Sequence, residues 1–120
     1  MNKNKLSVFI GIYNAEHLLN SIFDQINSQK MKHFNLIIAD NCSEDDSFKI
    51  LKSRRFEFTN QGTVKIFRNR ENLGAHGSLN LHIHKVNTPW FTWWHQDDFY
   101  SNNHIEDRKS TRLNSSHANI

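Results

Sequence analysis

The sequence has one cysteine, Cys42, one proline, Pro89, and only four glycines in 120 residues. A lone cysteine excludes an internal disulfide framework and fits a reducing compartment. The glycines, Gly11, Gly62, Gly74 and Gly77, do not form the G-x-G-x-x-G fingerprint of a dinucleotide site, and no P-loop is present. Long apolar runs are missing too. The longest, Leu6 to Tyr13, is far too short to cross a bilayer. The basic start, Met1 to Lys5, leads into that run, but Gly11 interrupts it and no small-residue cleavage site follows. The segment reads as a strand rather than an export signal. Charge of one sign is scarce as well. Fifteen Lys and Arg stand against 12 Asp and Glu, a net +3, too even a balance to indicate a nucleic-acid surface. Arg54, Arg55, Arg68 and Arg70 are expected to be solvated charge. What the sequence does have is bulk: 9 Phe, 3 Trp and 2 Tyr supply core material and argue against disorder.

Residues 6–12 (LSVFIGI) form a short apolar run with β-branched and aromatic members, the pattern of a buried strand. Asn14 is a good N-cap for a helix over about 15–28, in which Leu18, Leu19, Ile22, Phe23 and Ile26 recur at helical spacing. A second strand is expected over 34–39. After it, Ser43 or Asp45 caps a helix carrying Phe48, Ile50 and Leu51. Residues 54–62 read as irregular, 63–67 as a third strand, and 74–86 as a helix stopped by Pro89. Residues 90–94 (WFTWW) form a fourth strand. Strands alternating with helices predict an α/β fold with a parallel sheet, and continuous apolar strands predict that both its faces are covered.

Ligands of such sheets bind beyond the carboxyl ends of the strands. Three strand ends carry polar groups: Tyr13-Asn14, Asp40-Asn41 and Gln96-Asp97-Asp98. Asp97 and Asp98 point in different directions on a strand end, so one can take a hard cation while the other reaches a sugar hydroxyl. The plainer reading is a polar strand cap. Asp40 suits a base N–H or a ribose hydroxyl, or simply a turn. Tyr13-Asn14 beside it is consistent with a nucleoside pocket, or with packing. Asn72-Leu73-Gly74-Ala75-His76-Gly77 opens a helix, where phosphate binding and close helix–sheet packing weigh equally. His82 and His84 face different ways, which disfavours a zinc site. His95 stands beside the acidic pair, either as a partner for it or for phosphate, or as an exposed side chain. Trp90, Trp93, Trp94 and Phe91 are expected to pack the sheet against its helices. Cys42 has no basic partner to make it a nucleophile.

Taken together, these motifs resemble the family 2 glycosyltransferases of the GT-A fold, from about Leu6 to Tyr100. The family's Pro-Thr-Tyr-Asn is represented by Gly11-Ile12-Tyr13-Asn14, and its Asp-Asp-Gly-Ser by Asp40-Asn41-Cys42-Ser43. Its Asn-x-Gly is matched by Asn72-Leu73-Gly74, with Asn80 downstream and Leu79 where an Arg is frequent. Its acidic, DXD-like motif is matched by His95-Gln96-Asp97-Asp98, with His95 at the first acidic position.

The resemblance implies a truncated, Rossmann-like nucleotide-binding half of the GT-A fold, and a parent enzyme that transfers sugar from a nucleotide-sugar with inversion. A UDP-sugar is the first expectation for the donor; the acceptor is unknown. Tyr13 and Asn14 would lie at the nucleotide, with Tyr13 stacking near the base. Asp40 would hydrogen-bond the base, Asp97 would approach the ribose or sugar, and Asp98 would hold Mg²⁺ or Mn²⁺ on the diphosphate. Such a cation stabilises the departing nucleoside diphosphate as a Lewis acid. The catalytic base of the family lies further along the chain than this sequence reaches. The alternative is a non-catalytic nucleotide-binding α/β module. Neither reading includes a nucleic-acid partner or a membrane segment here. The expected location is the cytoplasm, or the inner face of a membrane for a longer parent protein.

The C-terminus differs from the rest. Asp107 to His117 (DRKSTRLNSSH) resembles the in-frame translation of a common sequencing-adapter oligonucleotide. The expected division is therefore residues 1–106 as the N-terminal nucleotide-sugar-binding part and 107–120 as a non-native tail. That tail holds Arg108, Lys109 and Arg112 against Asp107, and so supplies most of the net positive charge. Resequencing the source locus is expected to show a frame that continues past Glu106 with other residues. Genomic DNA encoding the same tail would refute the adapter origin.

Overall fold

The computed structural model of the chain describes residues 4–107. Residues 108–120, which hold nearly all of the tail read as adapter-derived, lie outside the described residues. Four parallel strands form one sheet in the order β3-β2-β1-β4: β1 (Leu6–Ile12), β2 (Asn35–Asp40), β3 (Val64–Arg68) and β4 (Trp90–His95). The helices are α1 (Leu19–Asn27), α2 (Ser47–Ser53), α3 (Gly74–His82) and α4 (His104–Asp107). Short 3₁₀ turns at Glu16–Leu18, Arg55–Glu57 and Ile83–Lys85 flank them.

Period-two alternation along the strands explains the two layers. Val8, Ile10 and Ile12 of β1, Leu36 and Ile38 of β2 and Trp94 of β4 face one side. There they meet Leu19, Ile22, Phe23 and Ile26 of α1, Leu51 of α2 and Ile105 of α4. Phe9, Ile37, Ala39 and Phe91 face the other side, under Leu79, Ile83 and Val86. Both crossovers through α1 and α2 therefore lie on one face, and the crossover through α3 lies on the opposite one. The direction of winding reverses between β1 and β4, which are direct neighbours. This is the topological switch point, where the chain ends of an open parallel sheet part and leave a crevice.

The four strands and three main helices fall where the apolar pattern puts them, and the differences are local. The first turn of the expected 15–28 helix is 3₁₀ rather than α. Asn14 does not cap it: its backbone sits at φ 47, in the left-handed region, and its side chain serves another loop. Residues 101–106 carry no apolar run, yet one of them, Ile105, belongs to the core. The Gln29 side chain donates to the Ser101 carbonyl (2.7 Å) and accepts from Ile105 N (3.0 Å), which seats Ile105 in full burial. Trp94 is buried as expected, and its ring stacks on Tyr100 at 4.1 Å. Trp93 is only half-buried and faces a cleft instead. Three arginines are more than solvated charge, Arg55 by donating to the Val64 carbonyl. Arg54 pairs with Glu57 at 2.9 Å and lies over the Phe23 ring, and Arg68 donates to the Ser43 carbonyl at 3.0 Å.

Gly62 is required for a reason no pattern shows. A Cβ there would stand 2.2 Å from the Phe34 carbonyl oxygen and within 2.7 Å of the Asn4 and Asn35 side chains. The two amides can shift, but the carbonyl belongs to the backbone entering β2. Gly62→Ala is expected to cost about 1–3 kcal/mol in equilibrium urea unfolding. An unchanged midpoint would show that the 59–63 turn moves freely.

Candidate functional site

The site is built where the strands end and their backbone amides lose their sheet partners. Beyond β1 and β2, two loops satisfy each other. Asn14 N donates to Ser43 Oγ (2.9 Å), Ala15 N to Ser47 Oγ (2.8 Å) and Glu16 N to Asp45 Oδ2 (3.1 Å). In return, Glu44 N donates to Asn14 Oδ1 (2.8 Å) and Asp46 N to Glu16 Oε1 (3.0 Å). The polar run after β2 thus caps the helix after β1, as well as starting its own. Burial works to raise the Asp45 carboxyl, but the hydroxyl and amide of Ser47 and the amide of Glu16 outweigh it and hold it below its usual pKa.

Asp40 anchors this lattice. It is fully buried, and its carboxylate accepts from Ser43 N (3.0 Å) and Ser43 Oγ (2.5 Å), with Arg68 Nε at 3.9 Å. Ser43 therefore serves Asp40 rather than capping α2. Cys42, between them, takes a left-handed φ of 65.

On the other side of β1, Gln96 clamps the chain. Its Oε1 accepts from Tyr13 N (2.7 Å) and its Nε2 donates to Tyr13 O (3.1 Å), so a side-chain amide continues the β1–β4 ladder one step past the sheet. The parallel register that pairs Gly11 with His95 makes this reach possible. Nothing in the local sequence marks Gln96. Only the pairing of strands some eighty residues apart reveals its role.

Here a cleft of about 310 Å³ opens. Its walls are Gly11 to Tyr13 at the end of β1, Trp93 and His95 to Asp97 at and just past the end of β4, Asn41 just past β2, and Asn72, Gly74, Ala75 and Ser78 at the start of α3. Trp93 is flanked by His76 (5.0 Å, edge-on) and His95 (4.5 Å), which makes an aromatic wall. Of the five residues expected at a donor site, Tyr13 and Asp97 line this cleft, and Asn14, Asp40 and Asp98 do not. Asp97 and Asp98 diverge. Asp98 lies on the α1 side, where the Tyr100 hydroxyl approaches it at 3.3 Å while accepting from His95 N at 2.8 Å. Burial, with Asp98 nearby, raises the Tyr100 pKa, so the phenol keeps its proton for that contact.

Gly74 opens α3 at φ +74, and a Cβ there would meet nothing within 4 Å. Gly77 is tight only against Leu73 of its own helix start, at 2.9 Å. Close packing against the sheet therefore explains neither glycine, and Gly74 stands at the open cleft. The wall it belongs to is tied to β2 by a network of amides. Asn41 Nδ2 donates to Asn72 Oδ1 (2.8 Å) and Gly74 O (3.2 Å), and Asn41 Oδ1 accepts from Leu73 N (2.9 Å) and Asn69 Nδ2 (3.0 Å). Asn69 continues to Ser78 Oγ (3.0 Å) and to His82 Nε2 (2.7 Å).

Among the described residues, no group of three or more His, Cys, Asp or Glu is arranged to hold a metal ion. A hard cation at this edge would find at most one or two carboxylate oxygens, from Asp97 and Asp98. That donor set fits a Mg²⁺ or Mn²⁺ ion whose remaining ligands are water and phosphate oxygens. No helix among the described residues is long and apolar enough to cross a membrane.

A parallel sheet with its cleft at the β1/β4 switch point, an acidic pair after β4 and a helix start facing it defines the nucleotide-binding half of a GT-A fold. The chain belongs to glycosyl transferase family 2, whose sequence model matches residues 7–108. It is 30% identical over 95 residues to a teichoic acid poly(glycerol phosphate) polymerase of Staphylococcus epidermidis, a match covering 79% of this chain and 13% of that protein. Among solved structures, S. aureus TarS 1–349 in complex with UDP-GlcNAc superposes with a TM-score of 0.73 at 21% identity, covering 86% of this chain and 29% of that one. TarS has also been solved with UDP. The mannosyltransferase PcManGT of Pyrobaculum calidifontis, in complex with GDP-Man and Mn²⁺, superposes with a TM-score of 0.67 at 16% identity, over 82% of this chain and 29% of that one. The structural likenesses establish the fold. The chain spans well under half the length of each of these proteins.

Gln96→Leu removes both partners of the Tyr13 backbone. It is expected to lower stability by about 1–2 kcal/mol in urea unfolding and to shift the Tyr13 amide resonance. Neither change occurring would mean that Gln96 does not hold the end of β1.

Proposed function

We propose that this chain is the donor-binding part of an inverting glycosyltransferase, and that its cleft takes the nucleoside diphosphate of a sugar nucleotide, a UDP-sugar in the first instance. The observation that carries this is the cleft itself. It sits at the switch point with an aromatic ring (Tyr13), a carboxylate (Asp97) and a glycine-opened helix start (Gly74) on its three sides. Family membership and the UDP-GlcNAc bound by TarS support the choice of ligand.

In this proposal the Tyr13 ring borders the base, Asn14 shapes the loop beneath it, and Asp97 meets the ribose or the sugar. The diphosphate lies toward the start of α3, whose dipole favours negative charge. Asp98 takes the divalent cation. To do so it leaves Tyr100, a contact long enough at 3.3 Å to be weak. Asp40 is fully buried, so it would reach a base N–H only if the loop at 41–43 moved aside. Residues for the acceptor and the base that deprotonates its hydroxyl are proposed to lie beyond the matched segment.

Calorimetry tests the proposal. Mn²⁺ alone is expected to bind weakly, UDP alone weakly, and UDP with Mn²⁺ at least about tenfold more tightly than UDP alone, because the diphosphate completes the ion's shell. Asp98→Ala or a chelator is expected to remove that gain. A gain that survives both counts against Asp98 as the metal ligand. No binding of UDP, GDP or other nucleoside diphosphates under any condition overturns the nucleotide assignment.

A further inference from the structure

The asparagine network behind the cleft has a direction, and the backbone fixes it. Leu73 N can only donate and Gly74 O can only accept, so the Asn41 amide has its oxygen toward Leu73 and its nitrogen toward Gly74 and Asn72. Asn69, facing the Asn41 oxygen, must present its nitrogen. Its oxygen is then left for His82, so His82 Nε2 carries the proton. His82 Nδ1 is therefore a bare acceptor, and the Lys85 ammonium meets it at 2.8 Å.

Every donor in the chain Lys85–His82–Asn69–Asn41–Asn72 thus points the same way, from a positive charge on the far side of α3 toward the start of that helix. Hydrogen bonds in such a row polarise one another, and burial strengthens the effect. His82 and Asn69 are each buried to within a few per cent. The rings of Phe67 and Phe9 pack around His82, and Lys85 lies 3.7 Å from the centre of the Phe67 ring.

We propose that His82 is a positioning residue for the cleft: through Asn69 it braces the Asn41 amide that ties Asn72, Leu73 and Gly74 to the end of β2, and so holds the α3 wall in place against the ligand. The proposal rests on the cleft being a nucleotide site and adds a residue that touches no ligand. Burial, with the charges of Lys85 and His84, pushes the His82 pKa down to about 4, so at neutral pH the ring is uncharged, and its contacts with Asn69 and Lys85 select the tautomer. Burial and the nearby Lys65 likewise lower Lys85, whose amino group meets Nδ1 at 2.8 Å. His84, two residues on, is exposed and takes no part in the row.

The test uses ¹H–¹⁵N spectra and UDP titrations of the chain and three variants. His82→Phe keeps the ring volume and removes both polar ends. It is expected to move the Asn41 side-chain and Gly74 backbone resonances and to weaken UDP binding about tenfold, the scale of one lost hydrogen bond to a charged group. His82→Gln, whose amide can again donate to Asn69, is expected to restore most of both. Lys85→Met is expected to shift the same resonances in the same sense, and to weaken binding about two- to threefold by removing the charge at the head of the row. A merely structural role would not be rescued by Gln and would not respond to Lys85→Met. Asn41 and Gly74 resonances unmoved in His82→Phe, or in Lys85→Met should His82→Phe fail to fold, overturn the proposal. Moved resonances in a protein that binds no UDP would overturn the nucleotide reading and leave the positioning role standing.

Discussion

A parallel sheet ends abruptly, and the amides just past its carboxyl edge must find acceptors within the next few residues. That constraint organises this molecule. Ser43, Ser47 and Asp45 accept from three successive amides after β1, Gln96 accepts from the one before them, and Asp40 holds the loop that supplies two of the acceptors. Because the lattice runs both ways between the β1 and β2 loops, neither loop has its observed shape without the other. The left-handed backbone of Asn14 and Cys42 belongs to the same arrangement. Both are non-glycine residues held where an isolated chain would seldom put them.

This explains why the site was only partly legible in the sequence. Alternating strands and helices, apolar strands buried on both faces and polar groups at the strand ends were all visible as pattern, and they fix the fold and the edge that carries the cleft. The roles of individual polar residues were not visible. Asp40 and Asn14 read equally well as ligand contacts and as loop chemistry. In the structure their polar atoms are engaged with Ser43 and Glu44. The roles that Gln96, Asn69 and His82 take could not be read from pattern, because each acts on a partner that only the strand order brings near. Ile105 was missed for a related reason: a single apolar residue in a polar stretch has no period, and its burial depends on Gln29.

The acidic pair shows how one strand end serves two faces. Asp97 opens to the cleft on the α3 side, and Asp98 turns to the α1 side, near Tyr100. The pair stands past the end of β4, in a turn where Asp98 N donates to the His95 carbonyl at 3.2 Å, and that turn rather than strand alternation parts the two side chains. The protein alone therefore offers a cation an incomplete set of oxygens. In the proposed function a diphosphate would bring its own ligands, so that metal and nucleotide would each complete the other's site.

The two faces of the sheet are unequally built. Among the described residues, sixteen buried ones join the layer under α1, α2 and α4, against seven in the layer under α3. On the α3 side Phe67 and Trp93 are only partly covered. Apolar burial is what makes local opening costly, so the thin layer is where this fold yields first. The helix that walls the cleft is thus held to the sheet as much by asparagine amides as by hydrophobic contact. Such a wall can part from its sheet without disturbing the thicker layer, so the room a ligand finds here is set by polar tethers rather than by the core.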